Sequence, residues 1–539
     1  MMKTLLLTVL ISFGSFALHA QVNFTDSNLP IILIDTDHEI VDEPKVMATM
    51  KIINNASGNN QITDVPNDYN GYIGIEFRGQ SSQSFDKKNF GIELWDEAGE
   101  DIKFPVLGLP EEEDWILHGP YSDKSLIRNY LTFNLWAKTG RYGSRTILTE
   151  VVINGDYRGV YVLMEKIKRD GDRVDISKLE EDENDGDDLT GGYIVKLDKI
   201  NEGELVKSWE STYAPPLRQE NFQIVNFLVD YPKPEDLTEA QFTYIKTYVS
   251  AFEQALYTKD FSDETGYKNY IDVASFIDYA LLCELNRNVD SYRLSTYLFK
   301  DKDSDDGKLT MGPPWDYNLA FGNADYCNGG TTTGWAWDFN EACLWDYWLN
   351  PFWWNFFLQD PEYVSLMKSR WTELRNGDWS NEAIASLIDN ASRKLSEPAA
   401  RNFQRWPVLG TYVWPNNYVG SSYGDELSYL NTWITDRLTW MDQAIADLEV
   451  QEIVLSEEIN QDLSVFPNPT ANSWQIKQSD NQFSYTKLSY TIYSLDGQIV
   501  EEAEDINHNT AIGSTLKSGK YLLRITQNNK TASQLIIKN

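Results

Sequence analysis

The pattern of apolar and polar positions divides the chain into a strand-rich beginning, a helical middle and a short strand-rich end. Segments of β-branched and aromatic residues between turn residues predict strands from about residue 28 to residue 175. They are "LPIILIDTD", "KVMATMKIIN", "GYIGIEFRG", "KNFGIELWD" and "TEVVINGDYRGVYVLMEKI". In the last of these, Asn154–Gly159 carries the turn residues of a β-hairpin.

One helix interrupts these strands. Apolar residues recur at helical spacing in "SDKSLIRNYLTFNLWAKTG", which Ser122 or Ser125 can cap and Gly140 ends. The acidic run Glu180–Asp188 predicts a solvated loop. The segment "GGYIVKLDK" after it predicts one more strand.

The middle of the chain is mainly helical. Between residues 235 and 300 the segments "TEAQFTYIKTYVSAFEQALYT" and "VASFIDYALLCELNRN" have helical periodicity. A strand pair, "STYLFKDKDSDDGKLTMG", follows, and helices dominate from 350 to 450. Near residue 451 the composition shifts to short alternating strands, which predicts a separate all-β module.

The N-terminal residues 1–20 have the features of a secretory signal peptide. Lys3 supplies the positive end, Leu5–Phe16 the apolar run and Ala20 the small residue before cleavage. No later segment reaches the length of an apolar membrane span, so the mature chain is expected to have no transmembrane anchor.

The charge narrows the class of partner. A net charge of -36 argues against binding nucleic acid through its phosphates, and it disfavours docking on anionic lipid. A secreted protein is the plainest interpretation. Of three cysteines, Cys283 lies in an apolar helical pattern and is expected to be a buried thiol, whereas Cys327 and Cys343 could close a short loop by pairing.

Two hydrolase chemistries are poorly supported. His38, His118 and His508 are widely separated and show no zinc-binding spacing. The "GSSYG" stretch at 420–424 has the letters of a serine nucleophile motif but lacks the strand and helix that flank one.

A pair of acidic residues is more informative. Asp290 follows a helix and precedes a strand, and Asp316 follows the next strand, in "PPWDYNLAFGN". An isolated carboxylate behind a tryptophan is costly, so Asp316 either caps a turn or holds a metal. Phosphoryl transfer needs metal, a positioned hydroxyl and a cation on the phosphates. In "FRGQSSQSFDKKNFGIEL" a Gly/Ser loop precedes Lys87 and Lys88, and strand alternation favours Lys88 as that cation.

These segments resemble the CotH kinase family of atypical protein kinases, in the order in which that family has them. The resemblance also includes "LIRNYLTFNLWAKTG", "GGYIVKLD" and "NVDSYRLSTYLFKD". It implies an α+β fold over residues 21–455 with two lobes, at about 28–200 and 201–450. It further implies ATP, Mg²⁺ or Mn²⁺, and transfer of phosphate to Ser or Thr of a protein substrate.

The resemblance assigns roles to individual residues. Lys88 resembles the strand lysine on the phosphates, with Arg78 beside the phosphate loop as a further contact. Glu165 lies in the strand that resembles the hinge beside adenine, and Arg128 lies on the helix that corresponds to the regulatory helix. That helix offers no obvious Glu to pair with Lys88.

In the same resemblance Asp290 is the catalytic-loop aspartate and Asp316 is the metal-binding aspartate. Ser295 stands where ordinary kinases have a metal-binding Asn, and Asn318 or a water could substitute for it.

The end of the chain, residues 456–539, resembles the type A sorting domain of type IX secretion systems. "LSVFPNPTANSWQIK", "YTIYSLDGQIV" and "LKSGKYLLRI" carry this match. It implies a small all-β sandwich, recognition by the secretion machinery, and export through the periplasm to the cell surface or beyond.

A non-enzymatic alternative remains open. A degenerate CotH-like domain could act as a surface adhesion protein or as a polysaccharide-associated binding protein. The tryptophan-rich segments "GWAWDF" and "CLWDYWLNPFWWNFF" suit either a carbohydrate-contacting surface or an aromatic core.

Overall fold

The structure of the protein is a computed structural model that describes residues 22–200, 207–220, 222–450, 463–478, 488–494, 499–506, 510–527 and 530–539. The predicted signal peptide lies outside these ranges. The chain divides into two compact units, Met1–Gln451 and Glu452–Asn539, and each is described by itself. Among the described residues no helix is both long enough and apolar enough to cross a membrane.

The first unit begins with a closed β-barrel. Its elements, in chain order, are β1 (Asp26–Ser27), β2 (Ile31–Asp35), β3 (Val46–Ile53), β4 (Asn60–Gln61), β5 (Asn70–Arg78), β6 (Asn89–Trp95), β7 (Asp114–His118), α1 (Arg128–Ala137), β8 (Thr146–Ile153) and β9 (Asp156–Glu165). The barrel order is β2-β3-β5-β6-β7-β9-β8, and the parallel pair β2 and β8 closes it. Alternate residues of β5 and β6 fill the interior, because a strand directs successive side chains to opposite faces.

Helix α1 begins later than the sequence predicts. Neither Ser122 nor Ser125 caps it; it begins at Arg128 without a side-chain cap. The carboxylate of Asp123 accepts the backbone N–H of both Ser125 and Arg128, at 3.0 and 2.8 Å. This carboxylate therefore organises residues 123–127 as a loop, and the serine hydroxyls do not start the helix.

A five-stranded antiparallel sheet follows the barrel. The elements are β10 (Tyr193–Leu197), β11 (Ser208–Glu210), β12 (Asn226–Tyr231), α2 (Glu239–Tyr257), α3 (Val273–Asn286), β13 (Thr296–Lys300) and β14 (Thr310–Pro314). The order is β11-β12-β10-β13-β14. Helices α2 and α3 and the pair β13–β14 occupy the segments that the sequence predicts.

Strand β10 belongs to the five-stranded sheet and not to the barrel. The sequence interpretation placed the strand over 193–197 in the small lobe, which was expected to reach residue 200. Instead β10 pairs with β12 and β13. Gly191 makes this approach possible, because a Cβ there would lie 2.0 Å from the backbone of Asp301.

The remaining helices are α4 (Phe339–Ala342), α5 (Trp353–Phe357), α6 (Pro361–Arg375), α7 (Asn381–Lys394), α8 (Ser396–Arg405) and α9 (Tyr423–Ala446). Of these, α5 packs against α2, and α6 and α9 pack against α3. Trp353 of α5 packs edge-on against Phe252 of α2, with ring centroids 5.1 Å apart. This half of the tryptophan-rich segment is therefore core.

A buried ion pair joins α3 to α9. Glu284 and Arg437 have no exposed side-chain area, and their charged groups are 3.1 Å apart. The Glu284 carboxylate also accepts the backbone N–H of Ala336 and Trp337 and the hydroxyl of Tyr292. A single carboxylate thereby connects two helices and two loops.

The cysteines resolve the open pairing question. Cys327 and Cys343 form a disulfide with Cα atoms 5.4 Å apart. Cys283 is a free, buried thiol, as expected.

The second unit contains strands only among its described residues. They are β15 (Leu463–Phe466), β16 (Trp474–Gln478), β17 (Leu488–Ser494), β18 (Ile499–Ile506), β19 (Ala511–Ile512), β20 (Gly519–Gln527) and β21 (Lys530–Lys538). They form a three-stranded sheet, β15-β16-β19, and a four-stranded sheet, β18-β17-β20-β21. Trp474 and Ile476 of the first sheet share one core with Ile492 and Leu523 of the second.

Replacing Glu284 by Gln should destabilise the first unit by about 3 kcal/mol or more, because Arg437 would keep a buried, unpaired charge. Chemical denaturation of the full chain, followed by tryptophan fluorescence, measures this loss. Asp389→Asn is the matched control, since the Asp389–Arg393 pair is exposed on both sides and its loss should cost about 0.5 kcal/mol or less. Equal losses in the two variants would contradict the structural role of Glu284.

Candidate active site

Asp290 lies in the loop between α3 and β13, where one arginine holds its carboxylate. Arg293 is buried and donates to Asp290 Oδ1 at 2.9 Å, while its Nε donates to the carbonyl of Val289. The Asp290 side chain keeps 25 % of its area exposed. The carboxylate is therefore fixed from the protein side and open to solvent on the other.

Asp316 lies directly after β14 in a conformation that few residues adopt. Its φ is 61°, in the left-handed region, where non-glycine residues are uncommon. Its carbonyl accepts a hydrogen bond from Asn288 Nδ2 at 3.1 Å, which ties this loop to the loop of Asp290. The residue as a whole is exposed to solvent, although the protein atoms around its carboxylate desolvate that group. Such a backbone, held by its neighbours, is typical of functional sites.

A third carboxylate, Asp198, also acts on Asp316, and we call the region around it, Asp290 and Asp316 the cleft. Asp198 follows β10 and accepts the backbone N–H of Lys199 at 2.9 Å and that of Ser295. The sequence interpretation did not select Asp198 or Lys199. The one available signal was an Asp-Lys pair at the end of a buried strand, and only the pairing of β10 with β13 brings it beside Ser295.

The charges of these groups act on one another. Desolvation by the surrounding protein, followed by the charge of Asp290, raises the pKa of Asp316 to about 6. Asp198 acts in the same direction, while Arg78 and Lys199 oppose the shift. Burial also raises the pKa of Asp198. Three carboxylates and several cations, Arg78, Lys199 and Arg293 among them, therefore act on one another in this part of the structure.

The three carboxylates do not form a closed cage for one ion. Among the described residues, the acidic or cysteine triads whose ligand atoms lie within 4.8 Å of one another are elsewhere: Glu112–Glu113–Asp114 and Cys327–Cys343–Asp346. Lys168 forms ion pairs with all three members of the first, and a disulfide occupies the second. The wider spacing in the cleft suits an ion that is shared with a ligand, since Mg²⁺ usually takes one or two carboxylates plus phosphate oxygens.

Arg78 and Lys88 lie at one end of the barrel, where β5 ends and β6 begins, and the charge of Arg78 acts on Asp316. The Arg78 guanidinium, at the end of β5, lies 5.5 Å from the ring of Trp315, the neighbour of Asp316. Lys88 is half-buried just before β6 and donates to the carbonyl of Gln83 at 2.6 Å. The lysine therefore spans the Gly/Ser loop of residues 79–84.

Lys87 has a different role from its neighbour. It is buried, and it donates to the carbonyl of Val160 at 2.6 Å and to Asn402 Oδ1 at 2.8 Å. These contacts fasten the barrel to α8. The choice of Lys88 over Lys87 as the cation for a ligand stays a prediction, and the contacts of Lys87 favour it.

Glu165 and Arg128 lie in structural ion pairs. Arg145 binds the fully buried Glu165 carboxylate through two nitrogens, at 2.8 and 2.6 Å. Arg128 pairs with Asp123 and donates to the carbonyl of Ala320 at 2.8 Å. Both side chains hold protein segments together in this way, and the expected contact of either with a cofactor stays a prediction.

The two remaining predicted metal ligands flank the cleft. Ser295 has a φ of 46° and contributes its backbone N–H to Asp198. Asn318 is half-buried in the loop after Asp316, and its carbonyl accepts from Asn323 at 2.9 Å.

Comparison with known families gives two matches. A family model described as CotH kinase protein matches residues 75–441, more than half of the chain. A second, described as a secretion system C-terminal sorting domain, matches residues 464–539. No curated protein matches the chain significantly.

Replacing Lys87 by Met should lower the free energy of unfolding by about 2–4 kcal/mol, because buried acceptors on Val160 and Asn402 would lose their donor. Lys88→Met is the matched control, and it should cost about 1 kcal/mol or less. Denaturant midpoints of the two variants make the comparison. The reverse order would assign the structural role to Lys88.

The pKa of Asp316 predicts a specific dependence of stability on pH. Because the folded-state pKa of about 6 lies above the ordinary value of 3.8, the folded protein binds the proton more tightly. This contribution to stability is present below about pH 4 and is lost as the pH rises through 6.

The free energy of unfolding of the wild type minus that of Asp316→Asn should therefore fall between pH 4 and pH 6. Asparagine tolerates the left-handed φ of this position, so the variant should fold. Asp290→Asn should shift the midpoint of the fall to lower pH. A difference that does not change with pH would refute the raised pKa.

Proposed function

Because the chain belongs to the CotH kinase family, we propose that it is a protein kinase that transfers the γ-phosphate of ATP to Ser or Thr of another protein. The observation that carries the proposal is the convergence of Asp198, Asp290 and Asp316 from three separate segments, opposed by Arg78 and Lys199. The sorting domain marks the protein for export by a secretion system. The acceptor protein would accordingly be found at the cell surface or outside the cell.

The donor set of the cleft fits a divalent cation shared with a nucleotide. Asp316 and Asp198 would hold Mg²⁺ or Mn²⁺. Asp198 would supply a carboxylate oxygen in place of the amide oxygen that an Asn at position 295 would supply. Asn318 is a further ligand in this proposal. When bound, the cation would neutralise charge on the triphosphate during transfer.

The barrel end that carries Arg78 and Lys88 suits the phosphates of a bound nucleotide. Arg78 and Lys88 bring two positive charges to the barrel end, and the Gly79–Ser84 loop can offer backbone N–H groups to phosphate oxygens.

Asp290 is the group that would receive the acceptor hydroxyl. Its carboxylate would orient the hydroxyl and accept its proton as the oxygen attacks phosphorus. Arg293 holds the carboxylate at 2.9 Å, so little reorganisation is needed when the acceptor arrives.

Calorimetric titration of ATP, with Mg²⁺ or Mn²⁺, into the full chain tests the proposal. Asp316→Asn should weaken metal-dependent binding about tenfold or more, since one lost ion contact is worth at least about 1.4 kcal/mol. Asp290→Asn should keep nucleotide affinity within about twofold and lower phosphate transfer to casein by about a hundredfold or more.

Asp305→Asn is the matched control, because Asp305 is exposed in the β13–β14 hairpin, away from the cleft. It should leave both quantities unchanged. If the folded wild type does not bind ATP in the presence of Mg²⁺ or of Mn²⁺, the kinase proposal fails. The surface-binding alternative would then be favoured.

A further inference from the structure

Four apolar side chains form an exposed surface beside the loop of Asp290. We call it the aromatic ledge: Phe222, Leu344, Trp345 and Tyr347. Their exposed fractions are 45, 39, 72 and 47 %, and the rings of Phe222 and Tyr347 stack at 4.9 Å. Exposed large apolar residues are ordinary when scattered, but a contiguous patch marks an interaction site.

The backbone that carries the ledge is held by hydrogen bonds and a disulfide, although the side chains are exposed. Gln223 Nε2 donates to the carbonyls of Leu344 and Asp346, at 2.8 and 2.7 Å. The Cys327–Cys343 disulfide ends immediately before Leu344. A surface fixed before binding loses little conformational entropy when a partner arrives.

One buried guanidinium connects the ledge to the cleft. Arg293 donates from Nη2 to Asp290 Oδ1 and from Nη1 to Asp346 Oδ1, both at 2.9 Å. It also donates to the carbonyl of Trp348 at 2.9 Å. The ammonium group of Lys199, the neighbour of Asp198, lies 4.7 Å from the centre of the Trp348 ring. The ledge is thus one side chain away from the carboxylate that would receive the acceptor hydroxyl.

We propose that the aromatic ledge binds an apolar side chain of the acceptor polypeptide, within a few residues of the Ser or Thr that is phosphorylated. This inference rests on the proposed kinase function. Arg293 alone separates Asp290 from Asp346 and the carbonyl of Trp348. An apolar side chain within a few residues of a hydroxyl at Asp290 can therefore reach the ledge, because an extended chain advances about 3.3 Å per residue. Exposed tryptophan and tyrosine are the residues that most often dominate binding at interfaces.

The size of the ledge favours a peptide over a second copy of this chain. Four side chains at these exposures offer on the order of 400 Å². A stable protein–protein interface needs about 800 Å² from each partner. A single apolar side chain with its flanking backbone fits the smaller area.

The test uses the full chain, Mg²⁺ with ATP, and a positional-scanning library of peptides with a central Ser or Thr. The wild type should select Phe, Trp or Leu at one or two flanking positions. With the best peptide, Trp345→Ala should raise KM about tenfold and leave kcat within about twofold, because the ledge contributes to binding and not to transfer. Leu344→Ala should raise KM in the same direction.

Leu366→Ala is the matched control. Leu366 is as exposed as Leu344, at 45 % against 39 %, but it lies on α6. It should leave KM and peptide selection unchanged. ATP titration of the wild type and of each variant separates the two proposals. If the wild type does not bind ATP, both the kinase function and the proposed role of the ledge are overturned.

Other outcomes overturn the ledge alone. They are phosphorylation without apolar selection and an unchanged KM in Trp345→Ala. Dimerisation in sedimentation that Trp345→Ala abolishes would assign the ledge to a second copy. Binding of cello-oligosaccharides that depends on Trp345 would assign it to a glycan.

Discussion

The buried carboxylate of Glu284 is the group on which the geometry of the cleft depends. It accepts hydrogen bonds from the Arg437 guanidinium, from the backbone N–H groups of residues 336 and 337, and from the hydroxyl of Tyr292 in the loop of Asp290. A desolvated anion is tolerated only when its lone pairs are satisfied, so the groups around it have one compatible arrangement. Tyr292 holds a φ of 72°, and this contact keeps the loop in that strained conformation.

The cleft has a second anchor, which explains a departure from ordinary kinases. In ordinary kinases a Glu on the corresponding helix forms an ion pair with the strand lysine, and α1 contains no Glu. Instead Arg128 of α1 pairs with Asp123 and donates to the carbonyl of Ala320, four residues after Asp316. Helix α1 therefore holds the loop of Asp316 directly. The hydrogen bond from Arg128 to the carbonyl of Ala320 couples the positions of α1 and the loop of Asp316. Lys88 instead contacts the carbonyl of Gln83 in the Gly/Ser loop.

Local patterns predicted the elements well, and long-range pairing limited the rest. Helices α2 and α3 and strands β5 and β6 follow from periodicity, because burial on one face imposes it. The register of β10 between β12 and β13 has no local signal, so neither the sheet that β10 joins nor the position of Asp198 beside Ser295 could be predicted. The start of α1 was missed because Asp123, and not a serine, binds the free N–H groups. The places of Asp290 after a helix and of Asp316 after a strand were predicted, because each of these elements has a strong local pattern.

Composition could not separate the two halves of the tryptophan-rich segment. Trp353 and Trp354 are buried in α5, whereas Trp345 is largely exposed eight residues earlier. The difference lies in what holds each half: α5 packs against α2 through its rings, and residues 344–348 are held by their backbone carbonyls and by Asp346. Contacts to the backbone fix a loop without burying its side chains. The apolar surface of the loop then remains in water at a cost that only a bound partner removes.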